Sequence, residues 1–309
     1  MTIPDGQPTM PVSQGWATRS DLRATGTSVE AIRHRRSVGR WRSPYRGVYE
    51  VEPSAHPCPD LLAAHLHLGS ESFAVLTSAI ALHQIEGCPK GLAPQFAVPP
   101  GLEKAQRADI DLHFWRVSLE ERIDVLGVPA TTVVRTLADS ARLLSRDWAV
   151  ACLDSALHQG KITQDDLPAV RALMARRPRC VSGRDVLRCA RLGAQSPLET
   201  RVRLRASDAG FPPDALQVPI VSDHGVLLGY GDMGWRLRDG TWLVVEADGR
   251  SVHELPEALL HDRRRQNAFL AGAGVNIVRF TWADCRTAPY IPGILRPLLH
   301  NGGWIPPRS

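Results

Sequence analysis

At 309 residues, 43% hydrophobic and 22% charged, the chain has the composition of a soluble globular protein of two or three domains. No apolar run approaches the ~18–20 residues that a membrane-spanning helix requires, so the sequence excludes that class. The net charge of +5 and pI of about 9.1 suit a polyanionic partner.

The identity of the cations says more than their number. Lys90, Lys104 and Lys161 are the only lysines; every other cation is arginine, whose planar fork of donors matches phosphate. The six cysteines are scattered, with no C-x-x-C pair, so reduced thiols are expected in place of a disulfide framework or zinc knuckle.

Residues 1–14 are polar and rich in Pro and Gly, without a charged-then-apolar signal pattern. They read as a disordered leader of a cytoplasmic protein. Residues 15–52 follow as a first unit. Thr18-Arg-Ser-Asp21 has capping-box spacing for a helix Ser20–Ala24, and Thr27-Ser-Val-Glu30 for a second, Ser28–Val38. Val29, Ile32 and Val38 would form its buried stripe. Arg40-Trp41-Arg42 and Gly47 to Val51 read as two short strands around a turn. Helix, turn, helix and a basic hairpin make the layout of a winged helix, whose second helix enters the DNA major groove. Arg33, Arg35, Arg36, Arg40, Arg42 and Arg46 are the candidate DNA contacts.

Residues 53–195 read as a middle α/β scaffold. Helices are expected at Leu61–Leu68, Thr77–Gln84, Thr131–Leu144 and Asp147–His158, and after Thr163 and Ser182. Strands are expected at Gln95–Val98 and Ile110–Val117. His65, His67 and His83 show no metal spacing and read as core or partly buried histidines.

The chemistry concentrates in residues 196–309. Ser196-Pro-Leu-Glu199 is a well-formed helix start, in which Glu199 has a capping role open to it. Val226–Trp235 and Trp242–Ala247 read as strands around Arg238-Asp239-Gly240. A two-residue Asp-Gly loop sets Asp232 opposite Ala247. A three-residue loop with left-handed Gly240 sets Leu237 opposite Thr241 and Asp232 opposite Glu246, with Cβ atoms ~5 Å apart. Asp248 shares the face of Glu246. Carboxylates this close repel one another, and a hard cation such as Mg²⁺ or Mn²⁺ would offset that repulsion. Such an ion could activate water against a phosphodiester. His253 follows, then a basic helix from His261 through Asp262 and Arg265 to Ala271, suited to a phosphate backbone. Val275–Phe280 is a further core strand.

The series Ser-Pro-Leu-Glu199, Gly231-Asp232, Val-Val-Glu246-Ala-Asp-Gly249, His253, Asp262-Arg-Arg-Arg265 and Ile-Val-Arg279-Phe280 resembles the DUF559 family. That family is related to the very-short-patch repair endonucleases of the PD-(D/E)XK superfamily. The resemblance spans about Ser196 to Leu299 and implies a mixed sheet flanked by helices. It also implies metal-linked or catalytic roles for Glu199, Asp232 and Glu246, with His253 and Asp262 in support. The superfamily's lysine, two residues beyond the last acid, is Asp248 here, which leaves His253 as the alternative base near neutral pH.

The amino-terminal pattern Leu22, Gly26, Ile32, Gly39-Arg-Trp41 and Arg46-Gly-Val-Tyr49 resembles the winged helix of AbiEi-type antitoxins. Gly127-Val-Pro-Ala-Thr-Thr132, Arg135-Thr-Leu-Ala-Asp139 and Leu153-Asp-Ser-Ala-Leu157 are similar to that family's following domain. That likeness implies repression of an operon and a nucleotidyltransferase-like toxin as partner. The expectation is therefore a multi-domain mixed α/β protein acting as a metal-dependent DNA endonuclease or nickase. An antitoxin-like repressor with an inactive nuclease-like domain is the second reading, and a repair factor for mismatched or unusual DNA ends the third.

Overall fold

A computed structural model describes residues 13–102, 109–175, 183–222, 224–249 and 275–306. Its first helices begin where short polar side chains cap them. Strand β1 (Trp16–Thr18) leads into α1 (Arg19–Ala24), where Thr18 and Asp21 form the expected capping box. Helix α2 (Val29–Ser37) starts one residue away from expectation: Ser28 is the cap, its Oγ accepting from Ala31 N at 3.1 Å. Strand β2 (Val48–Glu50) pairs antiparallel with β1. The expected hairpin of residues 40–42 with 47–51 is reduced to a single Arg42–Glu50 bridge, on the edge of β2 opposite β1. Ala17, Leu22, Ile32, Trp41 and Tyr49 form the small core of this unit. Ile32 is 4% exposed, whereas Val29 and Val38 stand 40% and 52% exposed. The buried stripe of α2 is thus narrower than expected.

Next come α3 (Pro59–Leu68), β3 (Phe73–Ala74), α4 (Leu76–Leu82), β4 (Gln95–Val98), β5 (Asp111–Phe114), β6 (Arg122–Val125), β7 (Val128–Thr131) and α5 (Val133–Ser140). The strands form one mixed sheet in the order β5-β4-β3-β7-β6. Its apolar residues, Phe96, Val98, Leu112, Val128 and Ala130 among them, pack with Leu62, Ala63 and Leu68 of α3. His65 bonds Ser72 Oγ at 2.9 Å, His67 the Arg46 carbonyl at 3.0 Å and His83 the Thr131 carbonyl at 2.8 Å. These histidines are satisfied within the fold.

The chain divides into two compact units, Met1–Ser140 and Ala141–Ser309. The boundary expected before Ser196 therefore falls inside the second unit. Helices α6 (Arg146–His158), α7 (Leu167–Ala175) and α8 (Gly183–Cys189) belong with α9 (Pro197–Asp208). A buried polar network joins α6, α9 and the end of α8. Asp154 of α6 accepts from Arg203 Nη2 at 2.6 Å and Thr200 Oγ1 at 2.7 Å, both on α9, and from the Arg191 N–H at 2.7 Å.

The second unit is built on a four-stranded sheet ordered β11-β10-β9-β8. Its strands are β8 (Ala215–Val221), β9 (Leu227–Arg236), β10 (Trp242–Ala247) and β11 (Val275–Phe280). β8, β9 and β10 form an antiparallel meander, and β11 runs parallel to β10. Pro219 inside β8 is tolerated because β8 is an edge strand. One sheet face buries Met233, Trp235, Leu243, Val245 and Phe280. They pack against Leu198, Val202 and Ala206 of α9 and Ile291, Leu295 and Leu299 of α10 (Tyr290–Asn301). The other face carries Val218, Ile220 and Val244. The protein is thus a mixed α/β protein with several sheets. No helix among the described residues is long and apolar enough to cross a membrane.

Candidate active site and nucleic-acid interface

The β9–β10 turn sets the register of the candidate site. Leu237 N donates to Thr241 O at 2.9 Å and Gly240 has φ +88°, a left-handed conformation that glycine adopts without steric cost. This is the three-residue loop. The ladder runs Trp242↔Arg236 to Val245↔Met233, so the next pair in the same register is Glu246 with Asp232. At that point a side chain replaces the ladder: Asp232 Oδ2 accepts from the Ala247 N–H at 2.6 Å. Just before Asp232, Gly231 lies so near β10 that a Cβ on it would stand 2.1 Å from Val244 Cγ1. Only glycine lets the two strands close there.

Glu199 is 7% exposed at the start of α9, whose Ser196 cap accepts from Glu199 N at 3.2 Å. Its carboxylate reaches back past the cap: Oε2 accepts from Gln195 N at 2.8 Å. Burial above all, and then the charge of Asp232, push the Glu199 carboxyl up to about 7. Gln217 Nε2 also approaches Oε2, at 3.4 Å. Gln217 has φ +52° within β8, and its flanking pairs are Leu216↔Met233 and Val218↔Gly231. It therefore stands at the register position of Asp232. Left-handed backbone at a non-glycine residue costs about 1–3 kcal/mol and gathers where the surroundings over-determine it. Here it breaks the alternation of β8, so that Leu216 packs with the α9 core and Val218 with the opposite face.

Glu246 has a partner from a different element. The parallel β10–β11 register sets it against Arg279, and Arg279 Nε donates to Glu246 Oε2 at 2.7 Å. The side chains are 10% and 35% exposed respectively. Asp248 N donates to Phe280 O at 2.8 Å, continuing the strand pairing beyond β10. The structure thus brings Glu199 and Asp232 under each other's charge and gives Glu246 to an arginine. Among the described residues no group of three or more His, Cys, Asp or Glu side chains could hold a metal ion. His253, Asp262 and Arg265 lie outside the described residues. Gln217 and Arg279 were missed as site residues from sequence. Arg279 had one signal, a lone charge in the strand Val275–Phe280.

In the first unit, Arg33, Arg36, Arg40, Arg42 and Arg46 are exposed and Arg35 is half-buried. Two of the six are committed to the fold. The Arg35 guanidinium lies 4.7 Å from the centre of the Trp41 ring. Arg42 pairs with Glu50 at 2.7 Å and Asp60 at 3.1 Å. Arg42 is therefore a structural tie between β2 and α3, because two carboxylates already hold its guanidinium.

No family model matches the chain. It is similar to "Uncharacterized protein Rv2248" of Mycobacterium tuberculosis (strain ATCC 25618 / H37Rv) and "Uncharacterized protein MT2308" of Mycobacterium tuberculosis (strain CDC 1551 / Oshkosh). Each is 29% identical over 251 residues, covering 79% of this chain and 86% of the relative. Among solved structures, that described as "Crystal structure of RV2827C protein from Mycobacterium tuberculosis" is similar at TM-score 0.37 and 15% identity. The match covers 57% of this chain and 76% of the other.

Proposed function

We propose that this protein is a metal-dependent DNA endonuclease or nickase, with its hydrolytic site in the second unit. The observation that carries the reading is the convergence of Glu199 and Asp232: Gln217, at the register position of Asp232 in the sheet, approaches Glu199 Oε2 at 3.4 Å. Two carboxylates from a helix start and a strand are held so that Glu199 keeps its proton up to about 7. A divalent cation bound there would take the place of that proton, and hard oxygen donors of this kind fit Mg²⁺ or Mn²⁺. When bound, the ion would polarise a phosphodiester and lower the pKa of an attacking water. Asp232 and Glu199 would hold it, with Glu246 as the third acid of the resemblance to the DUF559 family. Exposed arginines of the first unit would hold the DNA backbone.

The test is plasmid cleavage with and without Mg²⁺ or Mn²⁺, comparing wild type with Asp232→Ala and Glu246→Ala. Metal-dependent cutting that both substitutions abolish is the expected result. Cutting that is equal in all three proteins identifies a contaminant and sinks the reading.

One observation favours a second reading. Glu246 is already neutralised by Arg279, and Asp248 stands where the superfamily has its lysine. A DNA-binding repressor, with a nucleotidyltransferase-like toxin as its partner, would use the sheet only as a scaffold. It would cut under no metal condition, and its sequence-specific DNA binding would survive Glu246→Ala.

A further inference from the structure

We propose that Arg279 contacts the scissile phosphate, an assignment that rests on the nuclease reading and deepens it. The second unit contains no lysine beyond Lys161, so a permanently charged side chain that meets a phosphate there, beside the proposed metal, must be an arginine. Among the described residues Arg279 is placed for this by backbone pairing. The parallel ladder of β10 and β11 sets it directly across from Glu246, on two strands whose apolar neighbours are packed into the core.

The pairing is asymmetric. Glu246 is the buried partner and Arg279 the half-exposed one, at 10% and 35%. The carboxylate engages Nε at 2.7 Å, and that bond does not consume the two Nη groups, which carry the remaining donors of the fork. Glu246 thus fixes the plane of the guanidinium. A fixed plane is what a bidentate phosphate contact requires, and it reduces the side-chain freedom lost on binding. A guanidinium stays charged throughout the pH range of a folded protein. Arg279 therefore binds charge and takes no part in proton transfer, unlike the lysine of the superfamily.

The test compares wild type with R279Q and R279K in two measurements, cleavage of a duplex with Mn²⁺ and duplex binding with Ca²⁺ across a salt series. R279Q should cut roughly 100-fold more slowly, and its log-affinity against log-salt slope should fall by about one. R279K should recover the slope and only part of the rate, since it restores the charge without the fork. A rate and slope in R279Q equal to wild type overturn the assignment. The two readings separate cleanly. If wild type never cuts but R279Q still loses the slope, the phosphate contact stands and the nuclease reading falls. Should R279Q fail to fold, R279K decides: cleavage slowed about tenfold with the slope kept supports the assignment, and unchanged cleavage overturns it.

Discussion

Asp154 of α6 and Arg203 of α9, 49 positions apart, form a buried ion pair of 2.6 Å, with side chains 2% and 5% exposed. Thr200 and the Arg191 N–H complete the bonds to the carboxylate, and Arg203 Nη1 donates to Cys189 O at 2.7 Å. Removing one member strands the other in the interior. Asp154→Ala should therefore lower stability by about 3–5 kcal/mol. The double variant Asp154→Leu/Arg203→Met should lose much less, because no charge is left uncompensated. Urea denaturation of the variants checks this, and equal losses in single and double variants would reject it.

Glu199 supplies a pH dependence with an unusual sign. Its carboxyl lies at about 7 in the fold against an ordinary 4.5. Between those values the native state binds more protons than the unfolded chain, so stability falls as pH rises through the window. Without divalent cation, wild type should lose on the order of 1–3 kcal/mol relative to Glu199→Gln between pH 4.5 and 8. Paired urea melts at the two pH values measure the difference. Parallel pH profiles of the two proteins would show that the Glu199 carboxyl titrates alike in the folded and unfolded chain.

The arginines of the first unit should separate into two behaviours. Arg33 and Arg36 are exposed on α2. Alanine at both should weaken duplex binding and flatten its salt slope by about two, one for each lost phosphate contact. Arg42→Ala should leave the slope nearly unchanged. Its ties to Glu50 and Asp60 are half-exposed, so it should lower stability by up to about 1 kcal/mol. A slope unaltered by the Arg33/Arg36 pair would leave α2 as a solvated basic face.

Local chemistry carried much of this fold. The caps at Thr18 and Ser196, the strands Gln95–Val98, Trp242–Ala247 and Val275–Phe280, and a turn at Gly240 all follow from short-range pattern. Each depends on residues within a few positions of one another, so the sequence could state it. The loop also narrowed the Asp232–Glu246 register to two alternatives, one of which the structure adopts. Tertiary packing decided the rest. Strand β8 is hidden in the sequence by Pro219, which only an edge position allows. The placement of α6 to α8 with the second sheet depends on a buried Asp154–Arg203 pair that no local signal announces. Nor could sequence pair Glu246 with Arg279, because the chain leaves β10 and returns in parallel as β11, and the register of a crossover is not written in either strand alone. The acids of the site were legible one by one; which is protonated, which is neutralised and by what are properties of the assembled sheet, where burial and neighbouring charge set the outcome.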